Sequence, residues 1–143
     1  MPYDNLPHPT TIPVEPFHIA ADPSSRESLE TLLKHTRMPK ATFENTQTAD
    51  NFGVTRQWVS DAVKQWSSID WSKWEDKMNS APQFKARVTG RDEREYEIHF
   101  MALFSKHRDA KPLVLLHGWP GCFLEFLPMT ELLRGRWSED ELP

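Results

Sequence analysis

Four consecutive apolar residues, Leu113-Val114-Leu115-Leu116, end in His117-Gly118-Trp119-Pro120-Gly121, and this junction constrains the fold more than any other stretch of the chain. A short continuous apolar run suits a strand buried on both faces of a helix-covered sheet, unlike the alternating pattern of a half-buried strand. Glycine and proline directly after it mark a tight turn. Phe123, Phe126, Leu127, Met129 and Leu133 then populate a helix that Pro128 is expected to interrupt. Strand, turn and helix in this order are pieces of an α/β architecture. Such a strand needs neighbours on both sides. Beside a lone hairpin it would leave an open edge, which predicts marginal stability or aggregation for the chain by itself.

Upstream, two segments alternate with the period of a strand: Phe84 to Val88, and Tyr96 to Phe104, where Tyr96, Ile98, Phe100, Ala102 and Phe104 oppose Glu97, His99, Met101 and Leu103. Thr89-Gly90-Arg91-Asp92 between them is turn chemistry, so an antiparallel hairpin is expected. Helices precede it. Ser24 stands three residues before Glu27, as in a capping box, with Leu29, Leu32 and Leu33 on one face, which predicts a helix over 23–37. From Thr55, the residues Trp58, Val59, Ala62, Val63 and Trp66 form one apolar stripe. Asp70 is placed to cap a second helix bearing Trp71, Trp74 and Met78. The polar, Thr-rich stretch from Met38 to Gly53 reads as loop. Residues 1–16 carry Pro2, Pro7, Pro9, Pro13 and Pro16, which remove backbone donors too often for a helix or a central strand. An extended or disordered arm follows, with Phe17-His18-Ile19 as a short edge strand.

With 143 residues the chain could bury roughly two-thirds of its unfolded surface, yet only 38% of its residues are apolar, below the roughly 45–50% usual for a globular domain. Its own core is therefore thin. Lys and Arg number 17 against 21 Asp and Glu, without long runs of one sign, so neither nucleic acid nor an anionic membrane is an expected partner. One cysteine, Cys122, cannot form an internal disulfide, and the N-terminus, Met-Pro-Tyr-Asp-Asn, has no basic region ahead of an apolar one. A cytoplasmic location without a membrane anchor is expected.

Chemistry concentrates at one place. A glycine-bearing turn at the carboxyl end of a sheet strand presents backbone N–H groups near a helix start, which suits an oxyanion site. Gly118 and Gly121 allow close backbone approach, and Pro120 makes a cis Trp119–Pro120 bond possible. The bland alternative is an ordinary strand-to-helix turn with His117 satisfied by a backbone carbonyl. The four Trp between positions 58 and 74 read as core or interface anchors, since no basic groove accompanies them as a stacking platform would require. His8, His18, His35, His99 and His107 lack metal-ligand spacing and read as surface or hydrogen-bonded residues. Asp70 and Asp76 read as capping or solvated groups, and Cys122 as a small buried side chain. No cofactor and no metal is expected. The sequence carries no G-x-S-x-G elbow, no P-loop, no G-x-G-x-x-G and no H-E-x-x-H.

Taken together, Pro16-Phe17, the Trp-rich helices, Pro82-Gln83-Phe84, Ile98-His99-Phe100, His117 to Gly121 and Glu125-Phe126 resemble the N-terminal region of microsomal-type epoxide hydrolases, over residues 14–134 or so. The resemblance implies an α/β class, α+β within this segment: a Pro-rich arm over 1–16, a helical meander over 17–81, and the first strands and helix of an incomplete α/β-hydrolase core over 82–143. It implies addition of water to an epoxide through an aspartyl ester, with lid tyrosines and a His/acid pair. Within this sequence only His117, Gly118, Trp119, Pro120 and Gly121 map onto a family site, with the Trp119 backbone lining the oxyanion hole. The chain alone is expected to be inactive. Implied partners are a small epoxide for the longer enzyme, and the remainder of a hydrolase core or a second copy. Two alternatives stand beside this: a non-catalytic module that docks on a hydrolase core, and the start of a different α/β-hydrolase, because the turn recurs on that fold with other nucleophiles.

Overall fold

The computed structural model of the chain describes residues 2–48 and 52–143. The chain divides into two compact units, Met1–Ile19 with Trp74–Pro143, and Ala20–Lys73.

The first unit is organised by a three-stranded antiparallel sheet of order β1-β2-β3, built from β1 (Val14–Phe17), β2 (Gln83–Thr89) and β3 (Glu95–Met101). The hairpin expected between the two alternating segments is present. Its loop closes with Gly90 N–H donating to the Arg94 carbonyl at 2.8 Å, and Glu93 adopts φ 62°. Because side chains alternate across a strand, Val14, Pro16, Phe84, Ala86, Ile98 and Phe100 share one face, while Glu15, Phe17, Gln83, Lys85, Glu97 and His99 share the other. Phe84 is 1% exposed, stacks on Phe100 with ring centroids 5.5 Å apart, and meets the edge of Phe104 at 5.2 Å.

The edge strand lies earlier than expected, at Val14–Phe17 instead of Phe17-His18-Ile19. Two features cause this. Pro16, which cannot donate, sits on an edge strand where one side of the backbone has no partner. Beyond Phe17, the backbone of Ile19 is claimed by a side chain: Asn79 Oδ1 accepts from Ile19 N–H at 2.9 Å, and Asn79 Nδ2 donates to the Ile19 carbonyl at 2.8 Å. The Pro-rich arm is likewise anchored by contacts far away in sequence. Tyr3 is buried, its carbonyl accepts from Phe104 N–H at 3.0 Å, and its hydroxyl donates to the Trp137 carbonyl at 2.6 Å. The same bond ends β3 at Met101, short of the expected Phe104, since the amide of Phe104 turns to the arm.

The largest correction concerns Leu113 to Leu116. These residues form no strand and are between 40% and 87% exposed, because none of the three strands lies alongside them to supply a ladder. After the turn comes a 3-10 helix, Phe123–Phe126, and then α5 (Leu127–Arg136). Pro128 starts α5 instead of interrupting it, at a position where a missing N–H costs nothing. Arg134 Nη1 donates to the Ser80 carbonyl and so ties α5 to the segment entering β2.

The second unit holds α1 (Pro23–His35), α2 (Phe43–Thr46) and α3 (Arg56–Ser67), and α4 (Trp71–Met78) begins at its end. The cap of α1 is Asp22, whose carboxylate accepts from Ser25 N–H at 2.9 Å with Pro23 in the first turn; the Ser24–Glu27 box is not the cap. Within the expected 38–53 loop, Thr42 and Asn45 close a capping box that nucleates α2, a local signal the Thr-rich composition conceals. Residues 49–51 of that loop lie outside the described residues. Helix α3 starts as expected, with Thr55 Oγ1 accepting from Trp58 N–H at 3.1 Å. Asp70 meets Ser72 at the start of α4. Of the four Trp expected to be core or interface anchors, Trp58, Trp66 and Trp74 are exposed and Trp71 is half-buried, so none is a core residue. Among the described residues no helix is long and apolar enough to cross a membrane.

Replacing Phe84 with Ala should cost about 3–5 kcal/mol, enough to remove most of the folded signal of a chain this size in urea unfolding followed by circular dichroism. Leu116→Ala should stay within about 0.5 kcal/mol. Equal losses at the two positions would show that the apolar run is part of the core.

Candidate functional site

The segment from His117 to Gly121 folds as a closed turn. Gly121 N–H donates to the Gly118 carbonyl at 2.7 Å, and the Trp119–Pro120 bond is cis. His117 Nδ1 lies 3.2 Å from the Gly118 carbonyl, the kind of contact that the ordinary-turn alternative calls for. Residues 117–120 are exposed, and the Trp119 side chain is 98% exposed.

The two glycines differ. A β-carbon at Gly118 would meet nothing within 4 Å, whereas one at Gly121 would run into the carboxylate of Glu125, which folds back from the 3-10 helix onto the turn. A side chain at 121 would therefore have to displace the Glu125 carboxylate, whereas one at 118 would displace nothing. The amide of Gly121 is consumed inside the turn. Pro120 has none, and among the described residues the Trp119 N–H donates to no protein acceptor. Among the described residues the amides of His117 and Gly118 likewise donate to no protein acceptor, so the turn that the Gly118–Gly121 bond closes carries three unclaimed backbone donors.

Cys122 directly follows and is exposed, contrary to the expected buried side chain. It occupies the N-cap of the 3-10 helix without a side-chain cap bond, where a thiol has room to face water. The next residue, Phe123, holds the turn to the sheet. Its ring meets His99 of β3 at 5.0 Å with an interplanar angle of 76°, and on a second side His99 meets Phe17 of β1 at 5.5 Å and 70°. His99 Nε2 lies 3.0 Å from Gln83 Oε1. Burial, and secondarily the Lys85 ammonium opposite it in the ladder, holds the His99 pKa below the ordinary 6.5. Sequence pattern alone places His99 on the polar face of its strand; the partners Gln83, Phe17 and Phe123, up to 82 residues away in sequence, carry no local signal. Among the described residues, no group of three or more His, Cys, Asp or Glu could hold a metal ion.

The family described as "Epoxide hydrolase N terminus" matches residues 14–126. The solved structure of Aspergillus niger epoxide hydrolase superposes with a TM-score of 0.91 at 35% identity, covering 100% of this chain and 36% of that one. A Dothistroma septosporum protein provisionally named an epoxide hydrolase is 34% identical over 144 residues, which cover 99% of this chain and 34% of that protein. Epoxide hydrolase 1 of Oryctolagus cuniculus is 28% identical over 125 residues, 84% of this chain and 26% of that protein. The fold is accordingly that of the N-terminal region of an α/β-hydrolase. The chain belongs to the epoxide hydrolase family, and it spans about a third of the length of the first relatives it matches.

The Gly121–Glu125 contact can be tested by a double-mutant cycle read through amide hydrogen exchange at residue 121. Gly121→Ala should lower protection by the equivalent of about 0.5–1 kcal/mol, and in a Glu125→Ala background the loss should vanish. Gly118→Ala should be neutral in both.

Proposed function

We propose that this segment serves epoxide hydrolysis by supplying one backbone donor of the oxyanion hole, the Trp119 N–H, to a catalytic centre assembled with further residues. The observation that carries the reading is the closed turn: the Gly118–Gly121 bond closes it, and the Trp119 amide, like those of His117 and Gly118, has no protein acceptor among the described residues. In hydrolysis of an aspartyl ester, negative charge develops on the carbonyl oxygen, and a preorganised N–H stabilises that charge where it forms. The family relationship supports an epoxide as the substrate class. The domain boundaries expected above, a Pro-rich arm over 1–16, a meander over 17–81 and the start of a core over 82–143, belong to this proposal too. The 143 residues hold no strand-to-helix elbow with a nucleophilic Asp, and a donor without a nucleophile has no ester intermediate to stabilise.

A second role has its own observation. Leu113 to Leu116 stand exposed in a row, a contiguous apolar strip suited to pairing with the remainder of a hydrolase core. Docking on such a core, with or without catalysis, would cover it. A compact, monodisperse monomer that ignores an added hydrolase core in size-exclusion runs counts against this second role.

For the catalytic reading, the purified 143-residue chain should form no diol from styrene oxide. Measurable, dose-dependent turnover by pure material would contradict it. Placed in the Aspergillus niger enzyme in lieu of the matching third, the segment should support turnover, and exchanging the residue 119 amide for an ester, which deletes the N–H and keeps the indole, should lower kcat about 10²–10³-fold. An unchanged kcat would remove Trp119 from the oxyanion hole.

A further inference from the structure

Gln83 determines which nitrogen of His99 carries a proton. Its Nε2 sits 2.7 Å from the Met78 carbonyl and 3.0 Å from the Ala81 carbonyl, contacts only an NH2 group can satisfy. Oε1 must then be the atom 3.0 Å from His99 Nε2, and an amide oxygen only accepts. His99 therefore carries its hydrogen on Nε2, and any second proton goes to Nδ1.

The carboxylates that share the sheet face with His99 are already paired. On β2, Lys85 lies directly opposite His99 and is bonded to Glu97, the preceding same-face residue on β3. Arg87 on β2 pairs with Glu15 on β1 at 3.7 Å. These two cations and two carboxylates already balance. From β1 and the 3-10 helix the groups meeting the imidazole are the rings of Phe17 and Phe123, and the Glu125 carboxylate of that helix is folded onto Gly121. Phe123 is two residues beyond Gly121, so its seat on His99 ties the turn to the sheet.

We propose that His99 is a positioning residue for the His117–Gly121 turn: in its neutral Nε2–H form it seats Phe123 and orders the turn, and uptake of a second proton releases that order. Its importance for catalysis rests on the oxyanion reading of the turn, whereas the coupling itself does not. The sign follows from burial and Lys85, which lower the folded-state pKa of His99. The open form then binds the proton more readily, so turn order is full above the ordinary 6.5 and is lost as pH falls from there through the lowered folded value.

The test is nuclear magnetic resonance on the 143-residue chain. The 15N shifts of His99 should report the Nε2–H tautomer near pH 7. Protection of the Gly121 amide, corrected for intrinsic exchange, should fall by up to about tenfold per pH unit below 6.5 until His99 is protonated in the folded state. The Ala86 amide in β2 should fall less. His99→Phe keeps a ring between Phe17 and Phe123 but cannot titrate, and should flatten the pH profile. Gln83→Met should mix the tautomers and lower Gly121 protection near pH 7. An Nδ1–H tautomer, a flat wild-type profile, persistence of the profile in His99→Phe, an equal fall at Ala86, or a turn unprotected at every pH would each overturn the proposal. None of these readouts involves turnover, so they fail independently of the oxyanion reading.

Discussion

The side-chain amide of Gln83 is the node from which the sheet-bearing unit hangs. Only 4% exposed, it donates to the Met78 and Ala81 carbonyls at the end of α4 and accepts from His99 on β3, so one residue at the start of β2 fixes the helix exit, the strand register and an imidazole at once. A buried amide left with an unmet donor costs about 1–3 kcal/mol, which is why such a group specifies a single arrangement more sharply than apolar contact does. The apolar side of the same strand works differently. Phe84 packs against Phe100 and Phe104 without directional bonds and contributes burial, while Gln83 one residue earlier contributes geometry.

What was legible in the sequence divides along this line. Local signals read true: Thr55 caps α3, Asp70 opens α4, and alternation over Phe84–Val88 and from Tyr96 marks the hairpin. Features decided by distant partners did not. Whether Ile19 joins a strand depends on Asn79, 60 residues away, and the order of the Pro-rich arm depends on Phe104 and Trp137. Amphipathic periodicity in α3 is real, yet Trp58 and Trp66 remain exposed, since a stripe states which face is apolar and not what covers it. For the candidate site, the turn itself was visible through His117, Gly118, Pro120 and Gly121. The contact that seats it, His99 with Phe123, was not, because neither residue is unusual in its own neighbourhood.

The thin core expected from a 38% apolar composition is visible in the burial pattern. Buried apolar residues among those described include Tyr3, Ala81, Phe84, Ala86, Leu127 and Leu142 in the sheet-bearing unit and Leu33 in the helical one, several of them small. Polar clamps do the remaining fastening. Glu139 accepts from the Tyr3 amide and pairs with Lys106 at 2.8 Å, a contact that holds its carboxyl below the usual glutamate range. Ser105 Oγ donates to the Leu142 carbonyl at 2.6 Å. A chain short of apolar material is held by hydrogen bonds between segments far apart in sequence, each worth about 0.5–1.5 kcal/mol.

This arrangement bears on how the His117–Gly121 turn is shaped without the strand it was expected to follow. In the common plan the strand delivers the turn, with ladder bonds on both sides fixing its direction. Here Leu113 to Leu116 contribute no ladder, yet the turn is closed by Gly118 and Gly121 and moored from the opposite side, through Phe123 to His99 and, farther on, through Arg134 to Ser80. Arg134 reaches the α4–β2 junction directly, and His99 is joined to it through Gln83. The orientation of the turn therefore depends on residues that follow it and on the polar face of the small sheet, and the apolar run before it is left free to pair elsewhere. Shape and placement are separable: a turn held from its helix side can keep its backbone geometry while its strand side remains free to accept a ladder.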